Sequence, residues 1–168
     1  EAYKRCDDRF GIGNDTYVTF ASGGAFTKFS HEFQTICEAG EDCIYLHRGK
    51  NIAVNEEVLD DAVKELGIKR NELEKVKTAE VGNIFNFGTQ KSEEMNLVFT
   101  GSDGMQHYAY MGSYGIGITR VMGVIVEKFA DEKGLIWPEN IAPFKYYVIG
   151  IGDQGEALAL DFHNSFRK

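Results

Sequence analysis

The chain has 168 residues, with 18 lysines and arginines against 26 aspartates and glutamates, which gives a formal net charge of −8. Hydrophobic residues make up 43% of the chain and charged residues 26%, a balance that indicates a globular protein and excludes a disordered or fibrous one. No apolar run approaches the roughly 18 residues that a membrane span needs, and the first ten residues lack the apolar core of a signal peptide. We therefore expect a soluble, cytoplasmic protein.

The cysteines and the two ends of the chain add further constraints. Cys6, Cys37 and Cys43 are an odd number without a CxxC spacing, which argues against a disulfide framework or a cysteine-rich zinc site. The sequence begins at Glu1 in place of a methionine and stops at Lys168 inside a helical pattern. We therefore predict that it is a piece of a longer protein.

Stretches rich in β-branched and aromatic residues predict strands in the first half of the chain. The predicted strands are residues 17–22, 27–38 and 43–46. Asn55 is placed to cap a helix that runs to Leu66, because apolar residues recur there at helical spacing, and Gly67 supplies the stop. A polar stretch follows and continues to Lys77.

The second half alternates between strand and helix patterns. Strand-like sequence returns from Val81, and two apolar runs that flank Gly101–Gly104 predict a β-hairpin. Helical spacing then runs from Gly117 to Ala130, and Gly134 stands where a C-terminal cap would be expected.

The prolines mark the best candidate for a domain boundary. Pro138 and Pro143 are the two prolines of the chain and lie within six residues of each other. Beyond them, YYVIGI predicts a short strand, and a helix follows from about Glu156. The whole pattern predicts an α+β fold of mostly antiparallel strands with a few helices, followed by the first strand and helix of an α/β domain.

Two glycine-rich segments are candidates for binding phosphate. Residues 150–155 spell GxGxxG between a predicted strand and a predicted helix. The dinucleotide fingerprint also requires an acidic residue about 20 positions further on, and the chain has 13 residues after Gly155. A nucleotide site and a plain turn of small residues are both compatible with this segment.

The second segment, Met111–Gly123, combines glycines along a strand with Arg120 at the start of a helix. Glycine in a strand often marks a place where a ligand or another backbone approaches closely. Arginine beside a helix N-terminus offers a fixed positive fork for phosphate oxygens. The alternative is a packing contact between the glycines, with Arg120 in a surface ion pair.

The pentapeptide SHEFQ, residues 30–34, is a candidate for ligand binding on a predicted strand. Alternation places Phe29, His31 and Phe33 on one face and Ser30, Glu32 and Gln34 on the other. A histidine between two phenylalanines is either a core residue or a ligand contact. The remaining histidines have no carboxylate or cysteine partners nearby in sequence and are interpreted as structural or surface residues; they are His47, His107 and His163.

Three long stretches together resemble the prolyl-tRNA synthetases, a class II aminoacyl-tRNA synthetase family, and most closely their bacterial-type branch. They are SGGAFTKFSHEFQTICEAGED (22–42), AEVGNIFNFGTQKSEEM (79–95) and MGSYGIGITRVMGVIVEKFADEKGLIWPENIAPF (111–144). The resemblance implies the mostly antiparallel class II sheet of six strands with flanking helices. It also implies the family reaction, in which ATP activates proline to prolyl-adenylate and the proline is transferred to tRNA(Pro).

The resemblance further implies roles for individual residues. Arg120 is the implied catalytic residue, placed against the ATP γ-phosphate in the third class II motif. The implied ATP-binding residues are Arg120, Thr119 and Gly117. The implied proline-binding residues are His31, Ser113, Gly115, Glu32 and Gln34. Alternation directs Glu32 and Gln34 away from His31 unless the strand bulges. Mg²⁺ and arginines offset the phosphate charge in such chemistry, and no residue is predicted to ligate a metal directly.

This sequence departs from the family pattern in two places. About 30 residues, 47–77, stand where bacterial-type enzymes often carry an editing domain, so no editing activity is expected. The first two class II motifs would precede Glu1. The resemblance divides the chain into the C-terminal part of the catalytic domain, 1–141, and the start of the anticodon-binding domain, 142–168. It also makes the GxGxxG segment a turn between strand and helix, and it implies that the isolated chain is inactive.

The charge distribution bears on partners and on the competing hypotheses. The most basic stretch, 64–77, has five basic and three acidic residues, and its net charge of +2 is typical of a solvated face. We therefore expect contacts with tRNA(Pro) mainly from regions outside this chain, in a full-length homodimer. A non-catalytic module that binds ATP, proline or a partner subunit is the alternative hypothesis, and another class II synthetase is a third.

Overall fold

The computed structural model describes residues 1–23, 29–152 and 154–166, which belong to two compact units, Glu1–Ile136 and Trp137–Lys168. The helices of the first unit are α1 (Ala2–Phe10), α2 (Leu59–Leu66), α3 (Gln90–Glu94) and α4 (Ile118–Phe129). Its strands are β1 (Thr16–Ser22), β2 (Phe29–Ile36), β3 (Asp42–His47), β4 (Ile52–Asn55), β5 (Glu74–Gly88), β6 (Val98–Thr100), β7 (Gln106–Tyr108), β8 (Met111–Ile116), β9 (Ala130–Asp131) and β10 (Gly134–Leu135). The predicted α+β class is confirmed.

The main sheet has six strands in the order β2-β1-β4-β3-β5-β8, and β2 also pairs with β5. These pairings close β2, β1, β4, β3 and β5 into a ring and leave β8 attached to β5. All pairs in this sheet are antiparallel except β1–β4, which is parallel. The sheet is therefore mixed and barrel-like, because β4 turns back from β3 and lies beside β1 in the same direction.

The long strand β5 begins earlier than its sequence predicts. Residues before Val81 form a polar stretch in the sequence, yet Glu74–Gly88 is one continuous strand. The polar first part is a strand because β3 pairs with it, from Leu46 opposite Glu74 to Asp42 opposite Thr78. A partner strand thus decides the conformation where the local sequence is ambiguous.

Two apolar clusters of the described residues lie on opposite sides of the ring. A cluster of Ile44, Leu46 and Ala53 fills the inside and packs against Tyr17, Ile36 and Val76. Outside the ring, α2 covers β4, and the buried residues there are Val54, Leu59 and Ala62. The predicted stop of α2 is confirmed, since Gly67 adopts the left-handed conformation at φ 63°. The Asn55 side chain caps a short 3-10 turn, Glu56–Val58, that precedes this helix.

Two sequence predictions after β5 have different outcomes. The hairpin is confirmed, with β6 paired to β7 and Gly104 at φ 76° in the turn. The helix from Gly117 is confirmed as α4, but Gly134 does not cap it. The residue after α4, Ala130, is extended, and Gly134 instead pairs with Asp131 in a short hairpin. A cap must directly follow the last helical turn, and Gly134 comes too late for that.

The second unit contains the helix α5 (Gly155–Ser165) and a 3-10 turn, Glu139–Ile141. The predicted strand YYVIGI is wrong, because these residues have no regular structure and no strand partner within the described part of the chain. The GxGxxG segment brings two backbones together: a Cβ on Gly150 would lie 2.5 Å from the carbonyl carbon of Gly155. Small residues are thus required for packing in this turn. None of the helices in the described ranges is long and apolar enough to cross a membrane.

Candidate functional site

The three neighbouring strands β2, β5 and β8 carry most of the residues that the sequence proposed for the site. Glu32 pairs with Asn83, and Asn83 pairs with Gly115, so these side-chain positions share one face of the sheet. His31 pairs with Ile84 in the adjacent row, which belongs to the opposite face. The sheet therefore separates Glu32 from His31, as alternation predicts.

A β-bulge in β5 brings Glu80 to the face that carries Glu32 and Asn83. Gln34 pairs with Glu80 and Phe33 pairs with Gly82, which leaves Val81 without an opposite residue. Because of this extra residue, Glu80 and Asn83 point to the same face although they are three residues apart. Asn83 Nδ2 donates a hydrogen bond of 3.0 Å to Glu80 Oε1. The bulge does not bring Glu32 or Gln34 to the face of His31.

Arg120 stands in the first turn of α4, beside this face. Its Nη1 donates to the backbone oxygen of Glu80 at 3.0 Å and lies 3.2 Å from Glu41 Oε1 and 3.7 Å from Glu80 Oε2. The side chain is 47% exposed, so both ion pairs are open to water. The guanidinium is thus held in place but stays available to a ligand.

A pocket of about 240 Å³ lies next to Arg120. Its lining residues are Glu80, Val81, Gly82, Asn83, Gly115, Ile116, Gly117 and Arg120. A Cβ on Gly115 would lie 3.2 Å from Asn83 Oδ1, and one on Gly117 would lie 3.4 Å from Arg120 Cβ. The two glycines therefore keep the pocket open and leave the polar groups room. This pocket, with its positive group at a helix N-terminus, suits a phosphate-bearing ligand.

The other predicted site residues do not line this pocket. Ser113 is two residues before Gly115, shares its face and is exposed. Thr119 is exposed in the first turn of α4 and does not line the pocket. His31 is exposed on the opposite face, where its ring centroid is 5.1 Å from that of Phe20. The structure thus groups Arg120, Gly117, Gly115 and Ser113, and it leaves His31 apart from them.

Behind the pocket, inside the ring, lies a group of three carboxylates that we call the acidic triad: Glu32, Asp42 and Glu80. Each is half-buried, and one oxygen from each lies within 4.8 Å of the others. Burial raises the pKa of Glu32, hydrogen bonds from Gln34 and Asn55 oppose that shift, and the nearby charges of Glu80 and Asp42 add to it. The sequence alone does not reveal the triad, because its members come from three strands and Glu80 faces inward through the bulge.

The remaining histidines are outside this site. His47 Nδ1 accepts a hydrogen bond of 3.3 Å from the backbone N–H of Lys50. His107 does have a carboxylate partner nearby in sequence, contrary to expectation, since its Nε2 lies 2.8 Å from Asp103 Oδ2. His163 is exposed on α5. Their interpretation as structural or surface residues agrees with these positions.

Comparison with known proteins relates the chain to one family. No family model matches it. The proline–tRNA ligase of Caulobacter sp. (strain K31) is 36% identical over 153 residues, which cover 76% of this chain and 34% of that protein. The ligase of Wolbachia pipientis wMel is 35% identical over 153 residues, covering 84% and 35%. The ligase of Rhizobium johnstonii is 32% identical, covering 91% and 41%.

A solved structure supports the relationship at the level of the fold. The crystal structure of prolyl-tRNA synthetase from Cryptosporidium parvum complexed with L-proline and AMP matches with a TM-score of 0.54 at 14% identity, over 96% of this chain and 28% of that one. The chain spans 34% to 41% of the length of the curated relatives described above. It is therefore a member of the prolyl-tRNA synthetase family that corresponds to one part of its relatives.

Proposed function

We propose that this chain is part of a proline–tRNA ligase and contributes the third class II motif and part of the proline pocket to its active site. The observation that carries the proposal is the pocket beside Arg120, which has a glycine-lined wall and a positive group at the start of a helix. The whole enzyme would activate proline with ATP and transfer it to tRNA(Pro). The relatives support this reaction through their names, since they are proline–tRNA ligases.

Arg120 is the residue proposed to contact the γ-phosphate of ATP. Its ion pair with Glu41 joins two half-exposed side chains, and such pairs contribute little in water. The guanidinium can therefore exchange Glu41 for phosphate oxygens at small cost. Its hydrogen bond to the Glu80 backbone holds it at the pocket rim. A fixed positive group that faces the phosphates stabilises the charge that builds up there during adenylate formation.

Gly117 and Thr119 belong to the same nucleotide-binding segment in this proposal. Gly117 lines the pocket, whereas Thr119 would meet ATP from the exposed start of α4. Mg²⁺, bound with ATP, would offset phosphate charge. The pocket offers oxygen donors that suit this hard ion, the carboxylate of Glu80 and the amide oxygen of Asn83.

The proline pocket is proposed to lie along the same face, at Gly115 and Ser113. Gly115 leaves space for the substrate, and Ser113 offers an exposed hydroxyl two residues away. Glu32 and Gln34 share this face but do not line the pocket, so we propose that they support it from behind. The role of His31 on the other face stays a prediction that rests on the resemblance.

The two units would belong to different domains of the whole enzyme. The first unit would belong to the catalytic domain, and the second would begin the anticodon-binding domain of a cytoplasmic, homodimeric enzyme. Most contacts with tRNA(Pro) would then come from parts of the full-length protein outside this chain. The non-catalytic module has no observation in its favour, since the relatives described above are named as ligases.

Proline-dependent ATP–pyrophosphate exchange by the full-length parent tests the proposal. Arg120→Ala should lower exchange by about a hundredfold or more, because one charged contact in a transition state commonly contributes that much. Arg70→Ala is the matched control, since Arg70 is exposed in a surface ion pair with Asp60 at 3.3 Å. Exchange within a few-fold of the wild type in Arg120→Ala would exclude this role for Arg120.

A further inference from the structure

We propose that the acidic triad binds a hard divalent cation, of the Mg²⁺ or Ca²⁺ class, inside the strand ring. One carboxylate oxygen from each of Glu32, Asp42 and Glu80 lies within 4.8 Å of the other two. Oxygens that share one Ca²⁺ at 2.3–2.6 Å are at most about 5 Å apart. A single ion can therefore contact all three carboxylates with little movement of the strands.

A buried hydroxyl beside the triad lacks a hydrogen-bond partner. Thr78 is fully buried, and its Oγ1 has no partner within the described part of the chain. Thr78 pairs with Asp42 across β3 and β5 and is two residues before Glu80, so all three side chains share one face. An unpaired hydroxyl in the interior is costly, and this one is on the residue directly opposite Asp42, on the face that carries the triad.

Gln34 supplies a second buried oxygen that has no hydrogen-bond partner in the described part of the chain. Its side chain is fully buried, and Nε2 donates to Glu32 Oε2 at 2.8 Å and to Asp42 Oδ2 at 2.7 Å. The amide thus lies among the carboxylates, while its Oε1 has no hydrogen-bond partner among the described residues. A half-turn of the terminal amide exchanges nitrogen and oxygen. With a cation present, this rotation would direct Oε1 towards the ion.

Among the described residues, the three carboxylates of the triad have only one positive side chain nearby. In the described ranges, Arg120 is the one basic side chain in an ion pair with the triad, at 3.7 Å from Glu80, and its contact with Glu41 is shorter. The hydrogen bonds to Glu32 and Asp42 come from the neutral amides of Gln34 and Asn55. Amides satisfy hydrogen bonds but do not neutralise charge, and a cation bound among partly buried carboxylates would offset their mutual repulsion. The atoms that would bind the ion are all oxygens, which favours a hard divalent ion over a soft one.

This site is distinct from the pocket beside Arg120. Glu32 and Asp42 do not line that pocket, and only Glu80 belongs to both. The ion would join β2, β3 and β5 at the back of the pocket. The inference does not depend on the proposed function, because its evidence is the chemistry inside the ring, and it requires no nucleotide.

Calorimetric titration of the complete 168-residue chain with CaCl₂ and with MgCl₂, without nucleotide, tests the proposal. We expect saturable binding of one ion and a rise in Tm beyond that caused by NaCl of equal ionic strength. Asp42→Asn should weaken binding by about tenfold or more. Thr78→Val should weaken it several-fold without any change in charge. Asp61→Asn, which removes an exposed carboxylate on α2, should bind as the wild type does.

Two results would overturn the proposal. One is the absence of saturable binding of either ion to the wild-type chain. The other is binding that Asp42→Asn and Thr78→Val leave unchanged, since the ion would then lie elsewhere. If Asp42→Asn fails to fold, the nearly isosteric Thr78→Val decides alone, and wild-type affinity in that variant rejects the site.

Discussion

Asp7 makes the stability of the first unit depend on pH in an unusual direction. This residue of α1 is 4% exposed, and its Oδ2 has no hydrogen-bond partner among the described residues. Burial raises its pKa from 3.8 to about 6, with a smaller contribution from the neighbouring charge of Asp8. The folded chain therefore binds a proton at Asp7 more tightly than the unfolded chain does. The contribution of Asp7 to stability therefore falls as the pH rises from about 4 to about 6.

The size of this effect follows from the gap between the two pKa values. A gap from 3.8 to about 6 corresponds to at most about 3 kcal/mol of unfolding free energy. Well below pH 3.8 Asp7 is protonated in both states and the penalty is absent, whereas well above pH 6 the penalty is fully present. Asp7→Asn removes the charge but keeps the shape, so it should stabilise the chain by about 1–3 kcal/mol at pH 8. At pH 4 it should change little.

Urea denaturation followed by circular dichroism between pH 4 and pH 8 measures this difference. Asp8→Asn is the control, because it removes an equal charge from an exposed position in the same helix. It changes the pKa of Asp7 only by removing the neighbouring charge, which is the smaller cause of the shift. A stability difference between wild type and Asp7→Asn that is the same at every pH would refute the reasoning. An equal pH dependence in Asp8→Asn would refute it as well.

Other substitutions test the packing of the chain. Gly40→Ala should destabilise it by about 3 kcal/mol in urea, because the new Cβ would overlap the backbone oxygen of Thr78, within a paired strand. Gly123 is exposed on α4, and a Cβ added there would meet no atom within 4 Å, so Gly123→Ala should instead stabilise the chain by about 0.5–1 kcal/mol. Ile44→Ala should cost about 2–5 kcal/mol and Ile44→Val about 0.5–1.5 kcal/mol, since Ile44 is fully buried inside the ring. Gly150→Ala should speed hydrogen exchange in α5, because its Cβ would overlap the backbone at Gly155.

The local elements of this protein follow largely from its sequence. The 3-10 turn that Asn55 caps before α2, the glycine stop of α2, the glycine hairpin between β6 and β7, and the helix that begins after Gly117 all correspond to short-range signals. Such signals are readable because capping, positive φ and helical spacing act within a few residues. The resemblance to the prolyl-tRNA synthetases likewise rests on uninterrupted stretches of sequence and agrees with the relatives found.

The remaining structural features depend on pairing between strands that are far apart in the sequence. The first part of β5 is a strand because β3 lies beside it, and YYVIGI is not a strand because no described strand does. The bulge at Val81 turns Glu80 inward, and only then do carboxylates from β2, β3 and β5 meet as the acidic triad. Local sequence sets what each residue can offer chemically. Which of these groups face each other depends on strand register, because a shift of one residue moves every side chain of a strand to the opposite face of the sheet.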